Sequence, residues 1–259
     1  VLEAASVAGA EFAVAEVAAG LQSEAAVVES VCEQLARTGQ FVRASGLAEW
    51  PDGTISGRYS FLHALYQEVL SARLAELRRV QTHRRIAERK EQGYGERASE
   101  IAAELAMHYE QGRVLTRAVH YLGKAGENAV RRGAHREAIA LLTQGVALLP
   151  SLPDTPERLH QDIQLHLALG VSFISTKGHA AAEVGQAFMR AWELSQQLDH
   201  TFYLFSALRG LSASYGMRAK FERASEFTEH LLAIAERAHD PEMRLEASVS
   251  AGMLHFYSY

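Results

Sequence analysis

Twelve histidines, one cysteine and several closely spaced carboxylates are the residues of this 259-residue chain with chemistry to offer. A zinc-type site needs three or four such ligands brought together, most recognisably as HExxH on one helix face, and that spacing is missing. His160 and His166 are six apart and face different sides of a helix. Glu226 and Glu229 read as ordinary solvated helix positions. Cys32 lies among apolar helix positions with no evident His/Asn partners, so it is expected to be a buried, reduced thiol rather than a nucleophile. No GxxxxGK[ST] phosphate loop, no GxGxxG after a strand and no GxSxG elbow occurs. The expectation is a chain with no catalytic residue, no metal site and no resident cofactor.

One histidine stands apart. In "RYSFLHALYQEVL", residues 58–70, the apolar period changes at His63. Ile55, Tyr59 and Phe61 fall on alternate positions, as in a half-buried strand. Leu62, Leu65, Tyr66, Val69 and Leu70 then fall on one face of an α-helix. His63 is thereby expected in the first turn of a helix that starts directly off a strand. Unpaired N–H groups and the positive dipole end there favour an anion and disfavour imidazolium, while a neutral imidazole can still donate one hydrogen bond. The plain reading is that His63 closes the corner.

The elements that must position these residues are helices. Five prolines and long Ala/Leu/Glu/Arg stretches favour them, and 48% hydrophobic content fits a globular or repeat protein. The formal charge of −5 argues against whole-chain affinity for nucleic acid or an anionic membrane. Glu3, Glu11 and Glu16 interrupt the apolar N-terminal stretch, which reads as an amphipathic pair of helices rather than a signal or anchor. A start at Val1 and an end at "GMLHFYSY" in mid-pattern read as a fragment of something larger, in a cytoplasmic setting.

Residues 1–72 read helix, helix, helix, hairpin, helix. The third helix is expected to start after Ser23 as N-cap, to carry Val27, Val28, Val31, Leu35 and Ala36 on one face, and to end at Gly39. "PDG" is the hairpin turn. Three short helices and a β-wing make a winged-helix domain, whose third helix often reads DNA. Here Glu24, Glu29 and Glu33 stand against one Arg37, which disfavours phosphate contact. Residues 73–97 form a basic connector helix, broken near Gly93 and Gly95. Leu74, Leu77, Val80 and Ile86 are its expected buried stripe, with docking to an acidic partner surface or to the nucleotide of a neighbouring domain as the functional alternative.

Residues 98–259 repeat. Ala125-Gly126, Leu169-Gly170, Arg209-Gly210 and Ala251-Gly252 recur at 44, 40 and 42 residues, which implies stacked helical hairpins with small residues at close crossings. Leu105, Ala106, Tyr109, Ala118, Leu122 and Ala125 follow the tetratricopeptide (TPR) order of large and small residues. So do Leu122, Ala125, Gly126, Ala129, Ala138, Leu142 and Gly145, and later Leu208, Leu211, Ser212, Tyr215 and Ala224. Residues 159–198 fit less well, with "STKGHAAAEV" read as a longer turn, and Thr155 or Asp154 is placed to cap the helix after "SLPDTPER". Most aromatics, including Phe173, Phe188, Trp192, Tyr203, Phe205, Tyr215, Phe221 and Phe227, are expected as core knobs, some lining a concave groove. The fold class is therefore mainly α, a small winged helix followed by a TPR-like α-solenoid.

In this order of parts, with "EWPDGTISGRYSFLHALYQEVL", "RRVQTHRRIAERKEQGYGERASEIAAELAMHYEQG" and "LPDTPER", the chain resembles bacterial signal-transduction ATPases with numerous domains, the STAND class. More specifically, those stretches look like the predicted ATPases that bacteria fuse to class III adenylate/guanylate cyclase, kinase or transcriptional-regulator domains. The resemblance implies an ADP/ATP-binding domain upstream of the winged helix. It also implies that a Met-His-Asp motif at the corner contacts the ADP β-phosphate. Leu62, His63 and Ala64 occupy that motif, keeping the histidine and lacking the acid. The implied function is a non-catalytic regulatory and scaffold segment, relaying nucleotide state and binding a protein or small inducer on the repeats. A DNA-binding regulator using the winged helix and basic connector is the alternative.

Overall fold

A computed structural model describes residues 1–198 and 200–258. Tyr259, which closes the mid-pattern ending noted above, lies outside the described residues. The chain is mainly helical with one small antiparallel sheet, and it divides into two compact units, Val1–Tyr121 and Leu122–Tyr259. Among the described residues no helix is long and apolar enough to cross a membrane.

The first unit runs α1 (Leu2–Ala8), β1 (Glu11–Ala13), α2 (Val14–Leu21), α3 (Ala25–Thr38), β2 (Val42–Glu49), β3 (Ile55–Phe61), α4 (Ala64–Arg73), α5 (Glu76–Tyr94), a 3-10 stretch Gly95–Ile101 and α6 (Ala102–Gln111). The expected amphipathic pair at the N-terminus is instead buried nearly all round, since Ala4–Ala8 and Phe12–Ala18 are all inside. Alanines on every face let neighbours approach from several sides. Between the two helices the chain forms β1, where the apolar pattern predicts helix. It adds to the hairpin in the order β1-β3-β2. Phe12 is drawn into this role by the rings of Tyr59 and Phe61, whose centroids lie 6.1 and 5.5 Å away.

The hairpin turns at Gly53, whose φ of +84° only glycine adopts freely, with Trp50 N–H donating to the Thr54 carbonyl at 2.9 Å. α3 ends at Gly39 in the left-handed region, as its sequence requires. Its N-cap is Glu24 rather than Ser23, and Val27, placed by periodicity on the inner face, is exposed while Val28 and Cys32 are buried. In α4 only Tyr66 and Leu70 turn towards the core. Leu65 and Val69 are exposed. α5 departs most from a solvated connector: Leu77 is exposed, whereas Thr82, His83, Ile86, Ala87 and Lys90 are buried as the helix packs on α2 and α6.

The division between units falls within α7 (Leu115–Arg131). Beyond it come α8 (His135–Leu148), a 3-10 turn Leu149–Ser151, α9 (Pro156–Lys177), α10 (Ala182–Ser195), α11 (Thr201–Met217), α12 (Phe221–Ala238) and α13 (Pro241–Ser258). Each helix from α8 onward packs on the next, and α11 also touches α9 and α13, a repeat-like arrangement. Thr155 caps α9, its Oγ1 accepting from the Arg158 N–H at 3.2 Å. The irregular repeat does not arise from a longer turn, because α9 absorbs "STK" and leaves only residues 178–181 between α9 and α10.

Three of the four recurrent glycines sit at close crossings. A Cβ on Gly126 would lie 2.5 Å from Leu142, one on Gly170 2.6 Å from the Phe188 ring, and one on Gly210 2.5 Å from the same ring. Gly252 is the exception, exposed and with nothing within 4 Å.

Candidate functional site

In the second unit the periodicity of α9 puts Gln164, Leu167, Ala168 and Val171 on one face, and that of α11 puts Tyr203, Ser206, Arg209 and Ala213 on another. These faces border a cleft of about 420 Å3. Its floor is Phe188 of α10, which reaches between α9 and α11 because Gly170 and Gly210 offer no side chain to obstruct it. A second cleft of about 300 Å3, with Gly216, Met217, Ser250 and Met253, shares His179 and Ala213 with the first. The size suits a small ligand. Val171, Phe202, Met217 and Met253, all exposed large apolar residues, line these two clefts.

The polar atoms of the larger cleft are few and placed. Gln164 Nε2 donates to Tyr203 Oη at 2.8 Å, and the Tyr203 ring stacks on His200 with centroids 4.1 Å apart. Arg209 faces Glu246 of α13 at 3.5 Å, and Glu127 is held by Lys124 at 3.1 Å. Such an arrangement can bury an apolar group and hydrogen-bond a polar one beside it.

The first unit holds chemistry of another kind, turned inward. Lys90 is 5% exposed and pairs with Glu16 and, at 2.7 Å, with Glu104. Burial pulls its pKa down, but the two carboxylates outweigh that and hold the ammonium charged above its ordinary range. His83 and His108 meet Nδ1 to Nδ1 at 2.9 Å, so one donates and the other accepts. His108 Nε2 is buried without a partner. An unmatched lone pair is cheaper there than an unmatched N–H, which makes His108 Nδ1 the donor. Burial, with Arg79 beside His83 and with His83 and Lys90 beside His108, depresses the two rings to about 4 and about 3. Glu91 accepts from Tyr109, from Tyr121 at 2.7 Å and from Arg117 at 2.6 Å. These groups tie α5, α6 and the start of α7 together.

The histidine singled out by sequence, His63, is the N-cap of α4 rather than a member of its first turn. It is exposed, with its ring edge-on to Tyr66 at 5.5 Å. His160 approaches His200 and Tyr203, whereas His166 sits apart on Asp162 at 2.8 Å. No group of three or more His, Cys, Asp or Glu among the described residues is placed to hold a metal ion. Cys32 is buried, and burial with Glu29 nearby pushes its thiol up to about 11. Glu29 is not a free surface charge: it accepts from Tyr59 Oη at 2.6 Å and the Gly57 N–H at 3.1 Å. Of the aromatics named from sequence, Phe188, Phe205 and Phe227 are core, and Phe188 also forms the cleft floor beside the partly buried Tyr203. Phe202 and Ser206 were missed, though both lie on the helical stripe through Tyr203 and Arg209. No protein-family model matches this chain, and no curated protein matches it.

Proposed function

We propose that the chain is a non-catalytic regulatory and scaffold segment of a STAND-class signal-transduction ATPase. A winged helix in the first unit relays nucleotide state, and TPR-like repeats in the second bind a protein or small inducer. The observation that carries this reading is the cleft between α9 and α11, a built concavity whose lining is mostly apolar with a few convergent polar groups. The order helix, strand, helix, helix, hairpin, with β1 on β3, supports the winged helix. The exposed imidazole of His63 at the start of α4 is accessible to a phosphate delivered by an upstream nucleotide domain. Switching then follows from a ligand favouring one of two domain arrangements.

The test is ADP affinity of the parent chain by calorimetry, with and without His63→Ala. Loss of one charge-assisted hydrogen bond predicts roughly tenfold weaker binding. Unchanged affinity, or a parent that binds no ADP, defeats the relay. The alternative, DNA binding through the winged helix and basic connector, gains some ground because Glu29 is engaged by β3, although Glu24 and Glu33 remain exposed. Duplex DNA titrated at low and moderate salt separates the two, since true phosphate contacts give a steep salt dependence.

A further inference from the structure

The larger cleft of the second unit has two unlike walls. Apart from Gln164, which donates to Tyr203, the α9 wall is hydrocarbon, with Leu167, Ala168, Val171 and Ile174 meeting Phe188 at the floor. The α11 wall carries Tyr203, Ser206 and Arg209 at three-residue steps, a row of hydrogen-bond donors along one helix. Tyr203 Oη accepts from Gln164, so its own hydrogen is free to donate into the cleft. The Ser206 hydroxyl engages no protein group among the described residues, where most other helical serines and threonines of this unit donate back to a carbonyl. Among the described residues of the lining, Arg209 is the only arginine or lysine. Its partner Glu246 lies outside the lining at 3.5 Å, and the arginine side chain keeps 52% of its exposure. The one carboxylate among the described residues of the lining, Glu127, already has Lys124.

We propose that this cleft binds an amphipathic monocarboxylic acid, its carboxylate on Arg209, Ser206 and Tyr203 and its hydrocarbon part against Leu167, Val171 and Phe188. The assignment rests on the reading of the repeats as an inducer-binding face and narrows it to a ligand class. Donors beside one half-exposed cation, with Glu127 held by Lys124 and Glu246 outside the lining, match a carboxylate. A ligand cation would find no free acceptor of opposite charge on that wall. The volume of about 420 Å3 is within the range of pockets that enclose small molecules and leaves space for a medium-length acyl chain or an aryl acid.

The experiment displaces a dansyl-labelled undecanoate from the full chain with decanoate, methyl decanoate and decylammonium, all below their micellar concentrations. Decanoate is expected to compete best, with the ester roughly tenfold weaker for want of the charge-assisted bonds, and the ammonium weaker again. Arg209→Gln should erase the preference for acid over ester while leaving the ester unchanged, and Arg209→Lys should restore part of it. Glu246→Gln, which removes the carboxylate that faces the guanidinium from outside the cleft, should leave decanoate binding equal or stronger. Ala168→Trp should exclude all three, with circular dichroism confirming that the helices remain. Equal displacement by acid and ester that is indifferent to Arg209→Gln but blocked by Ala168→Trp overturns the acid assignment and leaves a ligand face. Reporter binding insensitive to Ala168→Trp, or no binding, overturns both the acid site and the small-inducer reading of that face.

Discussion

The two units are both helix-rich, yet their interiors are held by different means. In the first, directional polar pairs cross between elements: Lys90 with Glu16 and Glu104, His83 with His108, Glu91 with two tyrosines, Glu29 with β3. In the second, glycine and alanine receive large apolar side chains, as Gly170 and Gly210 receive Phe188. A directional pair fixes one arrangement, because either partner alone is a buried polar group without compensation. Contacts between small and large residues are shape-dependent but chemically neutral, and they sit beside a few buried polar pairs such as Ser212 with Thr228 at 2.6 Å and Asp162 with His166, while Tyr203, Ser206 and Arg209 face a cleft.

The largest expected effect tests that contrast at its most buried charge. Lys90→Met removes the cation and leaves Glu16, also buried, beside Glu104. The first unit should lose about 3–5 kcal/mol, the cost of breaking a buried ion pair from one side. The chain's two tryptophans, Trp50 and Trp192, lie one in each unit, so fluorescence separates the responses. A Trp192→Phe background reads the first unit in urea, and Trp50→Phe reads the second. An Lys90→Met midpoint unchanged in the first unit would show that the pair carries little of its stability.

Acid should divide the units next. His83 and His108 titrate near 6.5 when unfolded but are held at about 4 and about 3 when folded, so between those values the unfolded chain binds more protons. Their contribution is complete above about pH 6.5 and is lost as pH falls through about 4 for His83 and about 3 for His108, a loss of several kcal/mol from the first unit's stability. His83→Gln, which keeps a hydrogen-bonding side chain but cannot titrate, should flatten the slope seen by Trp50. An equally steep slope in that variant would place the acid sensitivity elsewhere.

The same contrast decides what was legible in the sequence. Small and large residues at a fixed period announce helical packing wherever they occur, and Leu105, Ala118, Leu122, Leu142 and Leu208 all proved buried. Polar pairs carry no such period. Lys90 lies 74 residues from Glu16, and one more basic residue in "RRIAERK" gives no sign that it alone is turned inward. β1 escaped notice for a related reason: three residues show no alternation, and only Tyr59 and Phe61, brought in by the hairpin, make Phe12 a strand residue. The cleft was half readable, since the stripe through Tyr203 and Arg209 is periodic. Which stripe faces α9 depends on helix rotation, which Phe188 sets by filling both glycine gaps.

The smallest effect is the sharpest test of the glycine argument, because one substitution at equivalent repeat positions should change sign. Glycine to alanine in an open helix gains about 0.5–1 kcal/mol from backbone entropy and propensity. Gly252 has nothing within 4 Å of a new Cβ, so Gly252→Ala should raise the stability of the second unit by that amount. Gly210→Ala gains the same intrinsic term, but its methyl would enter the Phe188 ring, which is 4% exposed and also pressed on Gly170. The ring has nowhere to retreat, and overpacking of this kind costs about 1–3 kcal/mol, so the net change is a loss. If Phe188→Leu makes room, the loss at Gly210→Ala should shrink while the gain at Gly252→Ala stays, a coupling read as a double-mutant cycle on Trp192. Parallel gains at both glycines, with no coupling to Phe188, would mean that the crossings are not set by the missing side chains.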